Sequence, residues 1–167
     1  MKSITLALSL GIWITPQATK SHLSVFPDLD SPVYLYSIFK MSWQGWVDQT
    51  LVGSKKIDKA AIFSAAGDAL LATTAGFNVQ LGEVQYMLRG FEDSIPLYSG
   101  GLYVAGEKLM VTKADDQSIY AEKGKEGVCV VKSSQSIVIA HYPETVQPRE
   151  AASIVGQLAN YLTSIGY

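Results

Sequence analysis

Downstream of residue 40 the chain alternates between apolar spacings of helical period and short apolar runs of extended type, and the switch points predict its elements. Trp43, Trp46, Val47 and Leu51 share one helical face behind Ser42, which predicts a helix over 42–51 with Ser42 as N-cap and Gly53-Ser54 as its end. Two β-branched or small apolar runs, 60–64 and 69–74, flank Ala66-Gly67-Asp68 and predict a hairpin. Val84, Met87, Leu88 and Phe91 return to helical spacing, giving a helix over 80–90 with Gly90 as its stop. Extended runs follow at 102–104, 109–112, 118–122, 128–132 and 137–142, separated by Ala105-Gly106-Glu107-Lys108, Asp115-Asp116, the stretch 123–127 and Ser133-Ser134. Such short separators predict an antiparallel meander. A last helix begins after Pro143, with Pro148 in its first turn and Glu150 near the positive end of its dipole. Its apolar side is Ala151, Ile154, Val155, Leu158, Leu162 and Ile165.

The order helix, hairpin, helix, meander, helix predicts an α+β fold. A central antiparallel sheet is covered on one face by the first and last helices packed together and on the other by the middle helix. That arrangement brings Trp43 and Trp46 within reach of Tyr161 and Tyr167. Rings at helical spacing are first of all a packing signal. Four of them at the two ends of one domain also suit a docking surface for a proline-rich peptide, whose polyproline II form is preorganised and packs on flat aromatic faces.

Residues 1–40 do not share this organisation. One lysine precedes an apolar run from Ile4 to Ile14, too short for a bilayer span, which needs about 20 apolar residues. The run has the outline of a secretory signal, but Pro16 and Gln17 stand where small residues would mark cleavage. Residues 15–40 show no period. The readings are a disordered leader or an over-extended start ahead of Met41, against a working signal peptide.

The chain of 167 residues is long enough for one well-cored domain, and 48% hydrophobic with 17% charged residues is a globular composition. A net charge of −2 argues against general nucleic-acid binding. Cys129 is the single cysteine, which excludes an internal disulfide and a cysteine-built metal site and suits a reducing compartment. Cys129 and His141 on neighbouring strands invite a nucleophile–base reading, but neither has an evident third group. Asp115-Asp116 is better explained by turn chemistry than by acid–base catalysis. No phosphate loop, dinucleotide glycine motif or zinc spacing occurs, so neither cofactor nor metal is expected.

Met41-Ser42-Trp43-Gln44, Asp58-Lys59-Ala60 with Ala66-Gly67-Asp68, the run 113–120, the run 126–130, Ile139-Ala140-His141-Tyr142-Pro143 and the closing Tyr167 together strongly resemble profilin, in order and over residues 41–167. The resemblance implies a monomeric, non-enzymatic protein of the cytoplasm and cytoskeleton that binds monomeric actin, regulates its polymerisation and nucleotide exchange, and docks proline-rich proteins such as formins. It implies a poly-proline surface of Trp43, Trp46, Tyr161 and Tyr167, with Leu71 where relatives often carry a further aromatic. It implies an actin surface of Lys108, Val111, Lys113, Tyr120, Lys132, Gln147 and Glu150, in which Val111 and Tyr120 form the apolar centre and the lysines a charged rim. Lys113 and Gln117 stand where relatives often carry arginine. Phosphoinositides are a further implied ligand, with Lys123 and Lys125 as contributors. The rival reading is a secreted or membrane-peripheral binding protein that uses the leader.

Overall fold

A computed structural model describes residues 42–167, and the leader or signal-peptide expectations for 1–40 lie outside them. Ser42 caps the first helix as predicted, its side chain accepting from the Gly45 N–H at 3.2 Å. The helix is not a uniform α-helix, however, and does not stop at Leu51. A short α1 (Trp43–Gly45) opens into a π-helical segment (Trp46–Leu51), closed by a bond from the Val52 N–H to the Val47 carbonyl, and a 3-10 turn (Val52–Ser54) follows. Left-handed Lys55 terminates the run.

Strands β1 (Lys59–Ser64) and β2 (Leu70–Thr73) form the predicted hairpin. Helix α2 (Leu81–Glu92) starts on a capping box in which Gln80 and Glu83 exchange bonds, and Val84, Met87 and Phe91 are buried. Gly90 is not its stop. The helix continues two residues further, and Gly90 is buried where any side chain would overlap Leu97. Leu97 belongs to a short helix α3 (Ile95–Gly100) that the sequence pattern does not announce. The meander is β3 (Leu102–Val104), β4 (Glu107–Ala114), β5 (Ser118–Lys123), β6 (Glu126–Lys132) and β7 (Ser136–Tyr142), and the C-terminal helix is α4 (Pro148–Ser164). Ile165, assigned by its spacing to the apolar side, lies past the helix end and is exposed.

The seven strands form one antiparallel sheet in the order β2-β1-β7-β6-β5-β4-β3, so the hairpin joins the meander through β1 and β7. Central strands covered on both faces should read as unbroken apolar runs. β1, β6 and β7 do so: Ala60 to Phe63, Val128 to Val131 and Ile137 to Ala140 are all buried. Alternate side chains divide between two cores. Ala60, Ile62, Cys129, Val131, Val138, Ala140 and Tyr142 face the terminal helices, meeting Val47, Leu51, Ala151, Val155, Leu158 and Leu162. Ala61, Phe63, Val128, Val130, Ile137 and Ile139 face the α2 side with Val84, Met87, Phe91 and Leu97. The predicted layering is therefore the observed one.

Between β4 and β5, Asp115 turns the chain. Its carboxylate accepts from the Gln117 N–H at 3.0 Å, the Ser118 N–H at 2.7 Å and the Ser118 hydroxyl at 2.9 Å, and Lys113 lies 3.2 Å away. Partial burial pushes this carboxyl upward, but the hydrogen bonds from Gln117, Ser118 and Lys113 outweigh it and hold the group below the usual carboxylate range. A depressed folded value contributes stability that is present above the unfolded value and is lost as the pH falls through the folded one. Asp115→Ala is expected to cost about 1 kcal/mol near neutral pH, less than is usual for charge-assisted bonds because water reaches the carboxylate. That cost should shrink in acid, which urea titrations of both proteins at neutral and acidic pH will measure.

Candidate functional site

The aromatic surface is built from the two ends of the domain. Val47 and Leu51 are wholly buried and anchor the first helical segment on the sheet, which leaves Trp43 and Trp46 at its half-buried margin. Gln44 ties the same segment to edge strand β2: its amide donates to the Thr73 carbonyl at 3.0 Å and its oxygen accepts from the Thr73 N–H at 3.4 Å. The side chain thus takes the place of a neighbouring strand for one residue of an exposed edge. Sequence reasoning missed this role, because a glutamine on a helix gives no sign of where it reaches.

On α4, Leu158 and Leu162 are buried while Tyr161 turns outward, 48% exposed. The structure brings all four predicted rings together as two pairs. Trp43 and Tyr167 meet edge to face with centroids 5.3 Å apart, and Trp46 and Tyr161 meet at 5.3 Å with planes tilted by 53°. Each distance lies within the favourable range for aromatic pairs. Leu71 on β2 packs half-buried against the same core as Trp43 and Trp46. The result is an apolar surface that is fixed by packing and still open to solvent.

The second predicted group of residues is only partly brought together. Lys113 pairs across the ladder with Tyr120, and its ammonium lies 5.8 Å from the centre of that ring. Tyr120 packs against the terminal-helix core. On the same face lies Met110, opposite Glu122 and 72% exposed, a large apolar side chain that the residue-by-residue reading passed over. Its signal was strand alternation, which sets it opposite buried Leu109. Lys108 pairs with Tyr103, its ammonium 5.9 Å from the ring. Gln147 is the N-cap position of α4, and Glu150, in the first turn, accepts from Lys56 at 3.1 Å. Val111 and Lys132 are placed otherwise. A bulge between Val111 and Lys113 pairs Val111 with Ala121, so Val111 packs into the α2-side core. Lys132 pairs with Ile137, whose side chain lies in that same core. Val111 and Tyr120 therefore do not form one apolar centre on one face.

The cysteine and histidine considered as a reactive pair do not meet. Cys129 pairs with Ala140 and His141 with Val128, so the two candidate reactive side chains are on opposite faces of the sheet. Burial, with a further push from Glu122, raises the Cys129 thiol to about 12, which keeps it protonated and unreactive. His141 instead meets Asp58 through Nδ1 at 2.6 Å, and Glu126 lies 3.7 Å from Nε2. His141 and Glu126 rim a cavity of about 170 Å³ over Phe77 and Val128, whose other charges are Lys59 and the pair Lys123 and Glu107, 2.8 Å apart. Small-molecule sites usually run to roughly 300 Å³ or more. No cluster of candidate metal ligands occurs among the described residues, and none of the described helices is long and apolar enough to cross a membrane.

Known proteins resemble this chain in sequence and in fold. The profilin family model matches residues 41–167. Profilin of Saccharomyces cerevisiae is 47% identical over 127 residues, 76% of this chain and all of that protein. The crystal structure of Schizosaccharomyces pombe profilin superimposes with a TM-score of 0.73 at 44% identity, covering 75% of this chain and all of that one. Mouse profilin IIa, solved in complex with a double repeat from the FH1 domain of mDia1, shares the fold at 24% identity and a TM-score of 0.64, covering 75% of this chain and 99% of that one. With a family model and full-length relatives matched from end to end, residues 41–167 place this chain in the profilin family.

Proposed function

We propose that this protein is a non-catalytic adaptor of the cytoplasmic actin cytoskeleton, holding an actin monomer on one surface and a proline-rich segment on another. The observation that carries the reading is the pair of half-open ring contacts, Trp43–Tyr167 and Trp46–Tyr161. A polyproline II helix loses little freedom on docking to such a surface, and indole and phenol donors suit the carbonyls that proline leaves unpaired. The FH1 double repeat held by mouse profilin IIa is the kind of occupant carried over here.

For actin, the face around Tyr120 supports the reading best. Tyr120 and exposed Met110 supply apolar area, Lys108 and Lys113 supply positive charge for steering an acidic partner, and Gln147 and Glu150 extend the patch to the start of α4. Val111 and Lys132 would take part only from the α2 face of the sheet. The 17 residues of α4 span about 25 Å, and the two surfaces sit towards its opposite ends. One molecule can then hold both partners, which raises the local concentration of monomer beside a proline-rich elongation factor. Preference for an open form of actin would speed nucleotide exchange by population shift. For phosphoinositides, Lys123 is engaged by Glu107, whereas Lys125 in the β5–β6 turn pairs with no carboxylate among the described residues.

Assembly of pyrene-labelled actin tests the proposal. Excess protein should slow spontaneous assembly and form a one-to-one complex with monomer; unchanged assembly with no complex would end the reading.

A further inference from the structure

Tyr167 lies beyond the last turn of α4, yet it holds its ring edge-on to Trp43. Two backbone bonds fix it. The Gly166 N–H donates to the Thr163 carbonyl at 3.1 Å, and the Tyr167 N–H donates to the Leu162 carbonyl at 2.8 Å. This is the Schellman closure of α4, with Gly166 left-handed at φ 90°. A third bond comes from outside the helix: the Gln135 side-chain amide donates to the Gly166 carbonyl at 2.7 Å. Gln135 lies in the β6–β7 turn and is itself held, its own carbonyl accepting from the Ala65 N–H at 3.0 Å. Tyr167 is thus tied to the sheet end by a residue far from either tryptophan in sequence.

We propose that Gly166 and Gln135 are positioning residues of the peptide surface, setting the backbone of Tyr167 so that its ring is presented beside Trp43 before the ligand arrives. The inference rests on the peptide-binding reading above. A Cβ at Gly166 meets nothing within 4 Å, so a substitution there alters the backbone preference and leaves packing untouched. Valine is poorly compatible with a left-handed residue, whereas asparagine enters that region readily. A released tail must be ordered again on binding, and the cost appears as lost affinity.

The test titrates the full chain with a poly-proline peptide and follows the Tyr167 ring protons by NMR, whose shifts report the neighbouring indole. Gly166→Val should weaken binding roughly tenfold, the scale of a disfavoured left-handed residue. Gln135→Ala should weaken it roughly threefold, the scale of one neutral hydrogen bond. Gly166→Asn should remain near wild type. The Tyr167 shifts should move towards those of an unstructured tyrosine in the valine variant while the thermal midpoint and actin binding hold, a combination that a general loss of stability would not give. Trp43→Ala is the control for the surface itself. Wild-type affinity in Gly166→Val, beside lost binding in Trp43→Ala, overturns the positioning role and leaves the peptide surface standing. Equal weakening by valine and asparagine also overturns it. A wild-type chain that binds no poly-proline removes the surface and the positioning role together.

Discussion

Trp43→Ala is expected to abolish retention on poly-proline while leaving actin binding largely intact. Trp43 contributes twice, by its own half-open face and by the edge contact that steadies Tyr167. Truncating a ring at the centre of an interface commonly costs on the order of 2 kcal/mol or more, a loss of affinity of roughly thirtyfold. Losing the aromatic pair adds about 0.5–1.5 kcal/mol and frees a second binding ring. The fold should survive, because the buried anchors of the segment are Val47 and Leu51 and the tie to β2 is made by Gln44. Column retention and a peptide titration, read beside a cooperative melting curve, check the prediction. Full retention by a folded variant would place the peptide on another face. Trp43→Phe keeps a ring and should keep part of the affinity.

The layering of the fold was legible because it depends on local periodicity. The alternation of β7 sends Val138, Ala140 and Tyr142 to one core and Ile137 and Ile139 to the other, and the spacing of Val84, Met87 and Phe91 marks α2. The features that escaped depend on partners distant in sequence or on backbone detail that side-chain pattern leaves unspecified. Trp43, Trp46, Val47 and Leu51 are compatible with an α-helix or with the wider π turn, and the choice between them lies in backbone bonds such as that from Val52 to Val47. Gly90 resembles a stop until Leu97 is seen pressing on it. The same limit applies to the candidate sites. Terminal helices that cover one face must bring their rings near one another, so the aromatic pairs followed from the layering. The sidedness of the lysine-rich strand did not. Val111 and Lys113 are two apart and should share a face, but the bulge between them reverses the parity. Resemblance names positions; it does not carry the register.

Tyr120→Asp is the converse prediction: it should weaken actin binding at least tenfold and leave poly-proline retention unchanged. Tyr120 stands half-buried over the terminal-helix core beside Lys113, and a carboxylate placed there would lose its solvent shell when a partner closes over it. An uncompensated buried charge at an interface costs about 2–5 kcal/mol. Lys113 offers partial compensation, but it already lies 3.2 Å from Asp115. Because Tyr120 also packs on the core, the substitution itself lowers stability, so a second variant is needed. Met110 is 72% exposed and can be changed without touching either core. Met110→Glu should melt like the wild type and still weaken actin binding, since it puts a carboxylate beside Glu122 on the same face. Both variants should keep poly-proline affinity, because the ring pairs lie towards the other end of α4. Fluorescence titration of labelled monomeric actin measures the effect. Wild-type binding by both variants would remove this face from the actin surface, and the α2 face of the sheet, where Val111 and Lys132 reside, would become the place to look.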